Sequence, residues 1–181
     1  MPALNYMKHT LKNYIPIIPD FPKAGINFLD ITKILSSPEQ FQYCVDMLAV
    51  QAEGCTSIVA IESRGFPFGG AVATKLNLPL VLVRKKGKLP GDVYTIDYDT
   101  EYSVDTLQIK THSPVGSLPF IIDDLLATGG TITATSHLLK NNFTVNEVKA
   151  GTVINLTFLP GEKLLRDNNI LYSSIVEYDD V

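Results

Sequence analysis

Residues 121–131 read IIDDLLATGGT, two adjacent carboxylates at the end of an apolar run followed by a glycine-threonine turn. Gly129 and Gly130 allow a tight turn that offers successive backbone N–H groups at the start of a helix, and Thr128 and Thr131 add hydroxyl donors. A helix N-terminus of this kind favours an anion by about 0.3–2 kcal/mol from its dipole alone. Neither a GxxxxGK motif followed by Ser or Thr nor a GxGxxG dinucleotide loop is present. An N-cap with a glycine-rich turn would explain TGGT, but not the acids before it. Asp123 and Asp124 repel a phosphate yet accept hydrogen bonds from vicinal hydroxyls. A ligand with a monophosphate at one end and a diol nearby satisfies both halves, which describes a ribose 5-phosphate.

A second feature is a set of cations in an acidic chain. Arg64 lies in ESRG, and Arg84, Lys85 and Lys88 lie in RKKGKLPG, directly after an apolar run. Gly87, Pro90 and Gly91 make that segment a loop, and a basic loop beyond a strand suits a second anionic group.

These residues need a scaffold whose strand ends converge. The chain has 181 residues, 45% of them hydrophobic, with a formal charge of −4. That is enough for one core, and we expect one domain over 1–181. Strand-like SIVAIE (57–62), LPLVLV (78–83) and LPFIID (118–123) alternate with helical patterns at 39–52, after Gly65 and at 131–142. The alternation predicts an α/β fold with a mostly parallel sheet covered on both faces, its ligand beyond the carboxyl ends of the strands. Residues 93–110 are polar and weakly alternating, which predicts a long mobile loop or an exposed hairpin.

Other classes are disfavoured. No apolar run approaches the roughly 18 residues of a membrane span, so we expect no membrane association. The acidic charge argues against nucleic acid. The first residues, MPALNYMKHTLKNYIPI, lack a secretory pattern, and Cys44 and Cys55 read as small buried hydrophobes, so we expect a cytoplasmic protein. His9, His112 and His137 show no ligand spacing, and no protein metal cage is expected.

The acid-glycine stretch resembles the phosphoribosyl-pyrophosphate motif of the type I phosphoribosyltransferases. DFPKAGINFLDIT (20–32), IESRGFPFGGAVA (61–73) and RKKGKLPG (84–91) make the ordered set similar to the adenine-using members of that family, over roughly residues 18–178. The resemblance implies a Rossmann-like sheet with a small hood from about residues 1–35 and a mobile lid over about 92–110. It implies purine salvage, in which adenine and phosphoribosyl pyrophosphate give AMP and pyrophosphate. Mg2+ would be carried mainly by the phosphate oxygens, and the protein would be a homodimer.

By the same resemblance, Asp123, Asp124, Ala127, Thr128, Gly129, Gly130 and Thr131 would hold the ribose 5-phosphate. Glu62, Ser63, Arg64, Arg84, Lys85 and Lys88 would hold pyrophosphate, the Glu62–Ser63 peptide turning to aim backbone donors at it. Phe28 would stack on adenine, with backbone at Asn27 and Leu29 reading its edge and Leu125 on its other face. Glu101, in YDTEYS, would exchange a proton with the purine N7. Three positions depart from the family pattern: Leu29 replaces Lys or Arg, Ser103 replaces glycine, and Gln108 replaces glutamate. The loss of the glycine is expected to alter lid closure, and the loss of charge at Gln108 to relax base choice. The rival readings are a phosphoribosyltransferase for another base and a non-catalytic module that senses phosphoribosyl pyrophosphate or nucleotide.

Overall fold

The computed structural model describes residues 10–99 and 104–181. Its central element is a seven-stranded sheet. Strands β3 (Ser57–Ile61), β4 (Leu80–Lys85), β7 (Pro119–Leu126), β8 (Val148–Leu156) and β9 (Ile170–Tyr178) are parallel, in the order β4-β3-β7-β8-β9. Beyond β4, the antiparallel hairpin β5 (Val93–Asp99) and β6 (Val104–Lys110) extends the sheet, with Arg84 opposite Gln108 and Thr95 opposite Gln108. The hairpin alternative for the polar segment is the one observed. A separate two-stranded sheet pairs β1 (Ile17–Ile18) with β2 (Phe28–Leu29), Ile18 opposite Phe28.

The apolar runs are continuous because the parallel strands are buried on both faces. Successive residues point to opposite sides. Ile58, Phe120 and Ile122 join one core with helices α2 (Pro38–Gln51) and α3 (Gly65–Leu76), together with Ile34 of the short α1 (Thr32–Leu35). Val59, Ile61 and Ile121 join the other, with α4 (Gly130–Asn142) and α5 (Gly161–Asp167). Cys44 and Cys55 are unpaired and buried, as their spacing predicts.

Local chemistry sets the helix ends. Ser37 accepts the Gln40 N–H at 3.4 Å with Pro38 at the first helical turn of α2, and Asn77 ends α3 in the left-handed region at φ 54°. β7 runs three residues past the expected end at Asp123, so both aspartates lie inside the strand rather than closing it. β3 and β7 are neighbours, but the chain leaves β3 toward β4 on one side and leaves β7 toward β8 on the other. The sheet therefore changes winding direction between them, opening a crevice at their carboxyl ends.

Candidate active site

Three adjoining cavities occupy that crevice. The outermost, about 540 Å³, is lined by Phe21, Phe28, Asp30, Ser63, Arg64 and Pro67, among others. The middle one, about 340 Å³, is lined by Glu62, Ser63, Arg64, Asp123, Asp124 and Leu125. The innermost, about 90 Å³, is bounded by Asp123 and by residues 125–132. Ser63 and Arg64 belong to the first two, and Asp123 and Leu125 to the last two, so the three form one cleft.

The innermost cavity is the glycine-threonine turn. Gly129 takes φ 84° and is the N-cap of α4, with no side chain capping the helix. A Cβ at Gly129 would lie 3.0 Å from the Gly161 carbonyl oxygen, so neither the backbone angle nor the space admits a side chain. The first N–H groups of α4 therefore remain available to an anion. Tyr98 of β5 lies over this turn, its hydroxyl 3.3 Å from Thr131 Oγ1, and a Cβ at Gly130 would be 3.6 Å from the Asp99 carbonyl oxygen. Burial pushes the Tyr98 phenol up.

In the middle cavity, Arg64 Nη2 stands 2.9 Å from Asp124 Oδ2, and Asp124 is 3% exposed. Burial, followed by the charge of Asp124, holds the Asp123 carboxyl well above the ordinary range. Burial raises Asp124 too, against the opposing pull of Arg64. The remainder of the Arg64 fork reaches outward. Nη1 donates to the Leu29 carbonyl at 3.2 Å, and the guanidinium carbon lies 4.7 Å from the Phe28 ring centre. Phe28 also packs edge-on against Phe21 at 5.2 Å. Leu29 points the other way, 2% exposed within the core, so only its backbone faces the cleft. The Glu62–Ser63 peptide is cis.

Two residues of the basic loop are already engaged. Arg84 donates from Nε and Nη2 to the Glu62 carboxylate at 3.2 and 2.9 Å, and from Nη1 to the Lys88 carbonyl at 3.1 Å. Those Arg84 bonds, with the Lys85 N–H, hold Glu62 below the ordinary carboxylate range. Lys85 pairs with Asp105 of β6 at 2.9 Å. Gln108, expected near the base, lines none of the three cavities; it is 9% exposed and bonded to Gly87 beneath the basic loop. Leu125 borders the two inner cavities. Glu101, Ser103 and His9 lie outside the described residues. His137 is taken up by Asn168 Oδ1 at 3.0 Å.

Sequence reasoning missed Asp30, Tyr98 and Asp105. Asp30 Oδ1 accepts from both the N–H and the hydroxyl of Thr32, and these bonds lower its carboxyl. The D-x-T spacing in LDIT was the available signal for it. Nothing local marks Asp105, whose partner Lys85 lies on another strand.

A mostly parallel sheet with a glycine-rich turn, an acid pair and an aromatic outer cavity at its carboxyl ends is the architecture of a phosphoribosyl transferase. A family model described as phosphoribosyl transferase domain matches residues 48–177. The adenine phosphoribosyltransferase of Mannheimia succiniciproducens is 43% identical, over 97% of this chain and 99% of that protein. The crystal structure of adenine phosphoribosyltransferase from Rhodothermus marinus superposes with TM-score 0.88 at 37% identity, covering 96% of this chain and 99% of that one. That from Saccharomyces cerevisiae, complexed with adenine and an imino-altritol bisphosphate, gives 0.86 at 33%, covering 95% and 99%. The chain belongs to the adenine phosphoribosyltransferase family.

Proposed function

We propose that the protein performs purine salvage, transferring the ribosyl 5-phosphate of phosphoribosyl pyrophosphate to adenine and releasing AMP and pyrophosphate. The observation that carries this reading is the order of the three cavities: an aromatic shelf, an acid pair with an arginine, and an uncapped helix N-terminus. Base, sugar diol and phosphate follow one another in the same order in the nucleotide product.

The 5-phosphate takes the N–H groups and hydroxyls of residues 127–131, and Asp123 and Asp124 accept from the ribose hydroxyls. Adenine stacks on Phe28, with backbone at Asn27 and Leu29 at its edge and Leu125 on the opposite face. Arg64, Lys85 and Lys88 neutralise pyrophosphate and Ser63 donates hydrogen bonds to it, while Arg84 and Glu62 hold the basic loop in place. As N9 attacks the anomeric carbon, the C–O bond to pyrophosphate breaks with its electron pair. The N7 proton becomes acidic, and Glu101 accepts it. Support for Glu101 comes from β5, whose last residue, Asp99, lies against Gly130, two positions before it in the chain.

Mg2+ would supply charge neutralisation on the leaving group. Such an ion would be carried by the phosphate oxygens and keep much of its own water. Asp123 and Asp124 are the cleft carboxylates able to accept from those waters. A homodimer is supported by Leu80 and Leu82, two leucines of β4 that are 41% and 36% exposed. Two unpaired buried cysteines suit the cytoplasm.

The test is synthesis of AMP by the purified protein from adenine, phosphoribosyl pyrophosphate and Mg2+, with its reversal by pyrophosphate. Formation of AMP together with stoichiometric pyrophosphate is expected. Phosphoribosyl pyrophosphate binding without any product would overturn the catalytic reading.

A further inference from the structure

Gln108 is a polar side chain only 9% exposed in the middle strand of the β5-β6-β4 edge, and transfer chemistry gives it no role. Its register places it opposite Arg84 on β4 and Thr95 on β5. The side chain uses both ends of its amide. Oε1 accepts the Gly87 N–H at 2.8 Å, and Nε2 donates to Thr95 Oγ1 at 3.3 Å. Gly87, at φ 79°, lies within the turn in which the Lys88 N–H donates to the Lys85 carbonyl at 3.2 Å. That turn carries Lys85, Lys86 and Lys88. Its backbone is tied at neighbouring points, by the Lys86 N–H on the Thr106 carbonyl at 3.2 Å and by Arg84 on the Lys88 carbonyl at 3.1 Å.

We propose that Gln108 is a positioning residue for pyrophosphate binding: its amide fixes the apex of the basic loop and fastens that loop to the hairpin. The inference rests on the reading that this loop holds pyrophosphate. An apolar side chain at 108 would leave the Gly87 N–H without its acceptor, and an unpaired N–H there turns the apex toward water. The lysine ammonium groups would then be spread over more orientations, and the entropy of collecting them would fall on the ligand. The loss is confined to ligands that carry a pyrophosphate. AMP, held by the glycine-threonine turn and the acid pair, does not use this loop.

The experiment is direct calorimetric binding of phosphoribosyl pyrophosphate, pyrophosphate and AMP to the full chain and to Gln108→Met, Gln108→Glu and Lys88→Ala. Gln108→Met is expected to weaken both pyrophosphate-bearing ligands by about 5- to 10-fold, as for one lost positioning bond, and to leave AMP within about twofold. Gln108→Glu, which keeps an acceptor at the same reach, restores the affinity. Should Gln108→Met not fold, Gln108→Asn, one methylene shorter, carries the same expectation. Equal weakening of all three ligands, or no weakening at all, would overturn the positioning role. If Lys88→Ala also left pyrophosphate binding unchanged, the reading of the loop itself would fall; if it weakened binding while Gln108→Met did not, only the inference about Gln108 would.

Discussion

Arg64 and Asp124, on different elements of the fold, form a 2.9 Å ion pair in which the aspartate is almost fully buried and the arginine is not. The same guanidinium covers Phe28 and holds the Leu29 carbonyl. One cation thus joins the shelf assigned to the base and the carboxylate assigned to the ribose, and substitution at either end is felt at the other.

Asp124→Asn removes the charged acceptor for the diol and frees Arg64. Loss of a charge-assisted bond of about 1.5–3 kcal/mol predicts about 10- to 100-fold weaker binding of phosphoribosyl pyrophosphate and of AMP. Pyrophosphate, which has no diol and gains a freed Arg64, is expected to bind no more weakly than before. Titration calorimetry of the three ligands checks this; unchanged AMP affinity would remove Asp124 from the ribose.

Glu101→Gln keeps the size of the side chain and removes its basicity. Turnover is expected to fall by about 10²- to 10⁴-fold with phosphoribosyl pyrophosphate affinity nearly intact. Equal losses in turnover and in affinity would assign Glu101 to binding instead.

The acid pair has a pH signature. Asp123 and Asp124 are both raised above the ordinary carboxylate range, so the folded protein binds their protons more tightly than the unfolded chain does. Their contribution to stability is fully present below the ordinary carboxylate range and is lost as pH rises through the raised values. Glu62, Asp105 and Asp30 are lowered and act oppositely, losing their contribution only below that range. Between the ordinary carboxylate range and neutrality, therefore, part of the acid stability is expected to vanish in Asp123→Asn, as read from melting temperature against pH. Affinity for phosphoribosyl pyrophosphate runs the other way and falls as the pair takes up protons.

Glu62 accepts from Arg84 twice and from the Lys85 N–H, with its side chain 15% exposed. Glu62→Ala strands those donors and is expected to cost about 2–3 kcal/mol in urea denaturation. Lys85→Ala breaks a pair whose lysine is 59% exposed and is expected to cost about 0–1 kcal/mol. The reverse order would show that Arg84 does not depend on Glu62.

What the sequence made legible was local. The glycine-threonine turn, the acid pair and the strand-helix alternation each reside in a short run whose chemistry needs no distant partner. The cross-strand relations were not legible. RKKGK reads as a row of equivalent cations, yet folding gives Arg84 to Glu62 and Lys85 to Asp105, because β3 and β6 flank β4 on its two sides. The resemblance gives Phe28 a side-chain role and Leu29 a backbone one; in the fold, consecutive residues of a strand face opposite ways, so Phe28 lines the cleft and Leu29 enters the core. Gln108 read as a change near the base because its distance from it depends on strand order, which no local pattern encodes.

The most direct measurement is product formation from phosphoribosyl pyrophosphate and Mg2+ with adenine, hypoxanthine, guanine and xanthine supplied separately. AMP from adenine, with negligible turnover of the other three, is the expected result. Preferential turnover of another base, or tight ligand binding with no product from any of them, would contradict it.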